Sequence, residues 1–287
     1  MSISVIEKIH EMQVKTEQWR NEKKKIALVP TMGYLHKGHV SLIEKARSIA
    51  DIVITSIYVN PKQFSPNEDY NRYPRNFDHD YDIAIKAGTD FIFYPSNNEM
   101  YPNDFDSIVE VGNSGNILEG EFRPNHFRGV TTVVLKLFNI TKPHYAIFGQ
   151  KDAQQVFVIN KMVRDLNCDV EIMIVPIVRE QDGLALSSRN IYLNENERRN
   201  ALVLYHSLQY AQGQVKQGER SIQSIQNEMV KILKTGLPTS IDYVAFIDPK
   251  SFSEIKQIQS KEILVLLAVR FGATRLIDNM LIQVPNN

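Results

Sequence analysis

Cysteine occurs once in this chain, at Cys168, so no intrachain disulfide can form and a reducing compartment fits the composition. An excess of charge of either sign is missing too, because 33 Lys and Arg balance 33 Asp and Glu. Neither a nucleic-acid partner nor an anionic membrane surface is advertised by such a balance. The longest purely apolar run, residues 263–269, falls far short of the ~20 residues that a membrane-spanning helix needs. Over residues 1–25, Ile6, Ile9 and Val14 are scattered among charges, which predicts an amphipathic helix and not a secretory leader. Internal repeats and low-complexity tracts are absent. No Gly-Lys-Ser/Thr follows a glycine-rich run, so there is no Walker phosphate loop. The expectation is a soluble, cytoplasmic protein of 287 residues, long enough for two domains.

What is present is an alternation. Residues 26–29, 51–59, 90–94, 145–148 and 170–175 are short apolar or β-branched runs and read as strands. Between them, residues 40–50, 77–87, 130–140 and 153–166 carry apolar side chains at helical spacing. That rhythm predicts the α/β class, with a Rossmann-like doubly wound parallel sheet over residues 1–176. Past Pro176 the pattern changes. Helical stretches at 194–213 and 222–233, then strands at 241–247 and 263–270, predict a smaller α+β domain over residues 177–287. The boundary falls at residues 176–183.

The stretch PTMGYLHKGH, residues 30–39, joins the first of those strands to its helix. Gly33 and Gly38 permit close backbone approach, and a helix beginning here aims free N–H groups and positive dipole at the turn. An anion is favoured there, with His36 and His39, three apart, both facing it. The two could instead form a metal pair, but no Glu lies between them as in a zincin and Cys168 is remote in sequence. Loops beginning at Pro30, Asn60 and Gly149 all follow strands, and ligands of doubly wound sheets bind at strand carboxyl ends. In GQKDAQQ, residues 149–155, Lys151 can reach a phosphate while Asp152 addresses a ribose hydroxyl or a metal. Ser187, Ser188 and Arg189 add two hydroxyls and a cation in a linker. Arg123 and His126 read as side chains that tie down a long loop.

HKGH after PTMG resembles the HIGH signature of class I adenylate-forming nucleotidyltransferases, and the Ser-Ser-Arg stretch resembles their KMSKS-type loop. PTMGYLHKGH, YVNPKQF, LEGEFRPNHFRGV, KLFN, FGQKDAQQ and REQDGLALSSRN stand in the order found in the pantoate–β-alanine ligase (pantothenate synthetase) family. The resemblance covers residues 26–192. The C-terminal third matches more loosely and has the length of that family's lid domain. It implies ligation of pantoate to β-alanine through pantoyl adenylate, with ATP cleaved to AMP and pyrophosphate. It also implies Mg²⁺ accompanying ATP, a homodimer formed through the N-terminal domain, and small-molecule partners only.

Carried over onto matching positions, the resemblance makes His36 and His39 ligands of the ATP phosphates and of the α-phosphoryl transition state. Lys151, Ser187, Ser188 and Arg189 would clamp the phosphates. Gly149 and Asp152 would contact the ribose, and Met32, Gly33, Val178 and Leu186 would complete the ATP site. Pro30, Thr31, Met32, Gln63 and Gln155 would hold pantoate, with Asn60 and Glu119 as further polar groups of that pocket. No protein side chain is assigned to the metal. Asn125 and Ile177 depart from an expected Gly or Thr, and Leu186 from a frequent Met. The segment Asp78-His79-Asp80 is poorer in acids than the family often is. Rival readings are a pantetheine-phosphate or nicotinate nucleotidyltransferase, an aminoacyl-tRNA synthetase, or an ATP-binding sensor.

Overall fold

Strands form where β-branched and aliphatic residues can be covered on both faces, and the central strands β2 and β3 of the parallel sheet do so almost throughout. β1 (Ser4–Ile6), β2 (Ile26–Thr31), β3 (Ile52–Ile57), β4 (Phe91–Phe93), β5 (Tyr145–Gly149) and β6 (Glu171–Val175) lie in the order β1-β4-β3-β2-β5-β6, all parallel. The computed structural model describes residues 4–66 and 68–285. Along β2, Ile26 and Leu28 enter a core with Met12, Trp19, Val130 and Leu137, whereas Ala27 and Val29 enter another with Leu42, Ile43, Ala46 and Ala84. So α1 (Ile9–Asn21), α6 (His126–Thr141) and α7 (Ala153–Asp165) cover one face, and α2 (Lys37–Arg47) and α3 (Phe77–Ala87) the other. Period-two burial with helices on both sides is the doubly wound arrangement expected from the alternation.

Strand order reverses between β2 and β5, since β3 lies to one side of β2 and β5 to the other. The ladder between these two strands ends early: it pairs Ala27 with Tyr145 and Leu28 with Ala146, while β2 pairs β3 through six positions. Thr31 gives its carbonyl to the Tyr58 N–H on the β3 side (3.0 Å), so alternation turns Pro30 toward β5. A proline there removes the donor that a longer ladder would need. The sheet is thus open at the carboxyl ends of β2 and β5, the place where ligands of this architecture bind.

Two local expectations need correction. Residues 1–25 are not one helix: β1 pairs with β4 along the sheet edge, burying Ile6, and α1 follows. The open edge of β4 gives Ser4–Ile6 a ladder to complete, a tertiary preference that local periodicity cannot register. Residues 1–3 lie outside the described set. The helix of the histidine turn runs Lys37–Arg47, earlier than the apolar spacing at 40–50 implies, because His36 caps it. Short helices α4 (Asn97–Met100) and α5 (Glu119–Phe122) were not foreseen.

The second compact unit comprises Ile177–Asn287 together with Lys151–Ala153, the first Met1–Gln150 and Gln154–Pro176. It contains α8 (Glu195–Asn200), α9 (Val203–Lys216) and α10 (Ile222–Thr235), and an antiparallel sheet β7 (Ser240–Ile247), β8 (Glu262–Phe271) and β9 (Thr274–Gln283). The stretch 194–213 is therefore two helices, and β9 is a strand the sequence reading missed. Leu204, Leu208, Ile225, Met229, Val265, Leu267 and Val269 build the core of this α+β unit.

Candidate active site

The histidine turn is held from within. His36 is the N-cap of α2, and its Nδ1 accepts the Gly38 N–H at 3.1 Å. The His36 N–H in turn donates to His39 Nδ1 at 3.2 Å, a reciprocal cap made by two imidazoles. Their rings lie 4.1 Å apart between centroids. In a neutral imidazole one nitrogen donates and the other accepts, so occupying both Nδ1 atoms with N–H donors puts both protons on Nε2. The turn therefore presents two half-buried rings, each an Nε2–H donor, at the start of a helix.

A buried carboxylate braces the same turn. Asp80, on α3, is 1% exposed, and its oxygens accept the N–H of Tyr34 (2.8 Å) and of Leu35 (2.6 Å). Gly33 sits between at φ +82, and a Cβ there would stand 2.8 Å from Asp80 Oδ2, so glycine is needed for both conformation and space. Asp80 is consequently committed to the backbone, and nothing in the sequence had marked it for that work. Thr31 also acts locally, donating to the Ser56 carbonyl (2.8 Å) and accepting the Gly33 N–H (3.1 Å).

The loop after β3 meets this turn. Asn60 caps the 3-10 turn Pro61–Gln63, and the Gln63 carboxamide reaches Met32 Sδ at 3.1 Å. Asn60 is 1% and Gln63 8% exposed, and the two side chains are bonded Asn60 Nδ2 to Gln63 Oε1 at 3.0 Å. Pro30, Thr31, Met32, Asn60 and Gln63 are thereby gathered at the carboxyl ends of β2 and β3. Arg123 and His126 do tie down this region. Arg123 grips Glu68 with two hydrogen bonds (2.8 and 2.7 Å), and His126 Nδ1–H donates to the Gln63 carbonyl at 2.8 Å. Asn125, N-cap of α6, stands at φ +67, which explains why glycine suits the position and why asparagine is accepted.

Past β5, Gln154 is buried and holds the loop before α5, accepting the Glu119 N–H and donating to the carbonyls of Ser114 and Ile117. Its neighbour Gln155 is half-buried in the first turn of α7, and Glu119 is buried at the start of α5.

In the second unit, Lys151 and Asp152 lie in a 3-10 turn, their charged groups 3.4 Å apart. Asn279 on β9 donates to the Lys151 carbonyl at 3.0 Å. Its neighbour Asp278 binds Arg179 through both oxygens (2.6 and 2.9 Å), and Arg179 lies over the Tyr205 ring. Burial pushes the Asp278 carboxyl up from its ordinary value, against the pull of Arg179. The Leu186 N–H donates to the Val178 carbonyl at 3.0 Å, and Ser187 then caps the 3-10 turn Ser188–Tyr192 by accepting the Arg189 N–H. Val178, Leu186, Ser187, Ser188 and Arg189 thus belong to one hydrogen-bonded hairpin and turn. Among the described residues, no group of three or more His, Cys, Asp or Glu side chains is arranged to hold a metal ion.

Comparison with known proteins follows the same lines. The family model described as pantoate-beta-alanine ligase matches residues 4–281. A pantothenate synthetase of Caldicellulosiruptor saccharolyticus is 52% identical over 280 residues, covering 98% of this chain and 99% of that one. One from Thermotoga petrophila is 51% identical, covering 98% and 100%. The crystal structure of pantothenate synthetase from Thermus thermophilus superposes with a TM-score of 0.91 at 40% identity, over 97% of this chain and 99% of that one. That of the pantoate-beta-alanine ligase from Francisella tularensis, complexed with beta-gamma ATP and beta-alanine, gives 0.80 at 35% identity, over 98% of each chain. With its sheet order, its paired imidazoles and full-length relatives at half identity, this chain belongs to the pantoate–β-alanine ligase family.

Proposed function

We propose that the chain joins pantoate to β-alanine, using ATP and releasing AMP and pyrophosphate, and that its residues act in two half-reactions. The observation that carries the reading is the doubly capped histidine pair, which fixes two Nε2–H donors at a helix N-terminus beside the open end of the sheet. The carboxylate of pantoate is ionised at neutral pH, so its attack on the α-phosphorus needs no general base. The new bond joins carboxylate oxygen to phosphorus while the bond to the pyrophosphate oxygen breaks. What the protein must supply is alignment and fixed donors for the charge that develops. We assign that role to His36 and His39, with Lys151, Ser187, Ser188 and Arg189 holding the phosphates and Asp152 and Gly149 the ribose. Met32, Gly33, Val178 and Leu186 complete the nucleotide contacts. Mg²⁺ accompanying ATP would supply charge neutralisation at the phosphates, with no protein side chain assigned to hold it.

Gln63 and Gln155 hold pantoate, with Pro30, Thr31, Met32, Asn60 and Glu119 around it. In the second half-reaction the β-alanine nitrogen attacks the acyl carbon and AMP leaves. An amine with a pKa of about 10 is neutral in about one molecule per thousand at pH 7, and the neutral form is taken from solution. We further assign a homodimeric state and a cytoplasmic location. Family resemblance supports the first and the lone Cys168 the second; light scattering that finds a monomer at micromolar concentration removes the dimer.

The test of the mechanism is isotope exchange. Labelled pyrophosphate should enter ATP when pantoate and Mg²⁺ are present and β-alanine is absent. Adding β-alanine should then release AMP and pantothenate in equal amounts. Exchange that demands a phosphorylated pantetheine or an amino acid instead of pantoate would assign a different acceptor. Product formed only when all three substrates are mixed, with no exchange, would replace the adenylate with a concerted route.

A further inference from the structure

We propose that Tyr101 is a positioning residue for pantoate recognition: acting through Asn60, it sets which end of the Gln63 carboxamide faces the substrate. The proposal rests on the assignment of Gln63 to pantoate made above.

An amide side chain has a donor end and an acceptor end of nearly equal shape, so its orientation must be read from its partners. Asn60 has four of them. Its Oδ1 lies 2.9 Å from the Tyr101 hydroxyl and 3.3 Å from the Lys62 N–H. Its other end lies 3.1 Å from the Gly129 carbonyl and 3.0 Å from Gln63 Oε1. The Lys62 N–H can only donate and the Gly129 carbonyl can only accept. These two backbone groups show which end of Asn60 is which, and the Tyr101 hydroxyl, the nearer of the two donors to Oδ1, holds it that way round. Asn60 Nδ2 then donates to Gln63, which obliges Gln63 to offer its oxygen inward. The remaining end of Gln63 is its NH₂, directed to the Met32 side. The carboxylate of pantoate, which can only accept, is matched by a donor there and would be repelled by an acceptor.

Tyr101 stands one contact behind Gln63, bonded through its hydroxyl to Asn60. Its hydroxyl completes Asn60 Oδ1, and burial pushes the phenol above its ordinary range, so it remains a donor at working pH. The ring is held by the ammonium groups of Lys62 and Lys136, 5.1 and 5.7 Å from its centroid, and by Phe105, edge-on at 4.9 Å. Close packing fixes the rest. A Cβ on Gly129 would collide with the Lys62 carbonyl, so only glycine brings α6 near enough for its carbonyl to meet Asn60. The Gln63 main chain is pinned by His126. With backbone and Asn60 both fixed, the carboxamide of Gln63 has one satisfied orientation.

The decisive measurement is a double-mutant cycle read in the pantoate KM of the full-length enzyme. Tyr101→Phe should raise that KM about three- to tenfold, the weight of one neutral hydrogen bond, and leave the ATP KM unchanged. In a Gln63→Ala background the same substitution should have no further effect, because the group it orients is gone. Equal rises in both KM values, or an undiminished Tyr101→Phe effect in the Gln63→Ala background, would overturn the relay while leaving Gln63 as a pantoate ligand. A Gln63→Ala variant with unaltered pantoate KM would overturn both the relay and the assignment beneath it.

Discussion

At the amino end of the parallel sheet the Nδ1 of His144 accepts the Ile26 N–H at 3.0 Å, and at the carboxyl end the Nδ1 atoms of His36 and His39 accept N–H groups of their own turn. The contact is the same at both ends and its consequence is not. His144 extends the junction between β2 and β5 where their ladder is intact, next to the pair Ala27–Tyr145. The other two cap a helix where that ladder has ended, so they serve a turn and not a strand. One end uses imidazole to finish the backbone. The other uses the backbone to aim imidazole.

The contrast is sharpest in the histidine pair. His36→Ala and His39→Ala should each lower pyrophosphate exchange by about 10²–10³, the usual loss for one donor aimed at developing charge. Thermal melts of both should show only a modest loss of stability, the roughly 0.5–2 kcal/mol that losing a helix cap costs, because the turn contributes little core. An unchanged rate in either variant would remove the anion-site reading. Next in size, Gln63→Ala should weaken pantoate by about 1–3 kcal/mol while sparing ATP, since it leaves polar groups of the ligand unpaired. Equal weakening of the two substrates, read by titration calorimetry, would point to general damage.

Asp80→Asn tests where the comparison breaks, for Asp80 lies at the carboxyl end yet serves the backbone. One of its two N–H partners would face an NH₂ group, so stability should fall by about 1–3 kcal/mol and exchange activity should fall with it. A melt identical to the parent would mean the turn holds its shape unaided. The smallest effect belongs to His144. Burial first, then Arg20 and Lys25, hold its pKa below the ordinary 6.5, against a weaker opposite push from Asp169. The unfolded chain then binds the extra proton first, so stability present above pH 6.5 is lost as pH falls from there toward the lower folded value. His144→Asn keeps an acceptor and removes the titration. Its melting temperature should fall less steeply with acidification, with exchange activity untouched.

How much of this was legible beforehand differs by kind of feature. The strand positions and the turn at 30–39 follow from local apolar spacing and a ten-residue motif, and helix α3 starts and stops where its pattern says. β1 was not legible because its reason is the open edge of β4, far along the chain. Gln63 and the histidines were visible as motif residues, whereas Asp80, Tyr101, Asp278 and Asn279 act on other residues' backbone or side-chain groups. Such roles leave no periodicity and depend on contacts at long separation in sequence, as Tyr101 to Asn60 shows. The tautomers of His36 and His39 were equally out of reach, since they are set by which N–H groups the folded turn delivers.

Pro30 carries one more consequence. A crevice between two β-strands is an unstable thing in principle, because neighbouring N–H and C=O groups can zip together and abolish it. Here the residue turned toward β5 just beyond the last paired rung has no N–H to contribute. The gap is therefore written into covalent structure and does not wait for a ligand to wedge it apart. A ligand that enters there meets a cleft already open, and none of its binding energy goes into prying a sheet apart. Replacing Pro30 by a residue that can join the ladder would turn that standing cleft into one that any occupant must reopen.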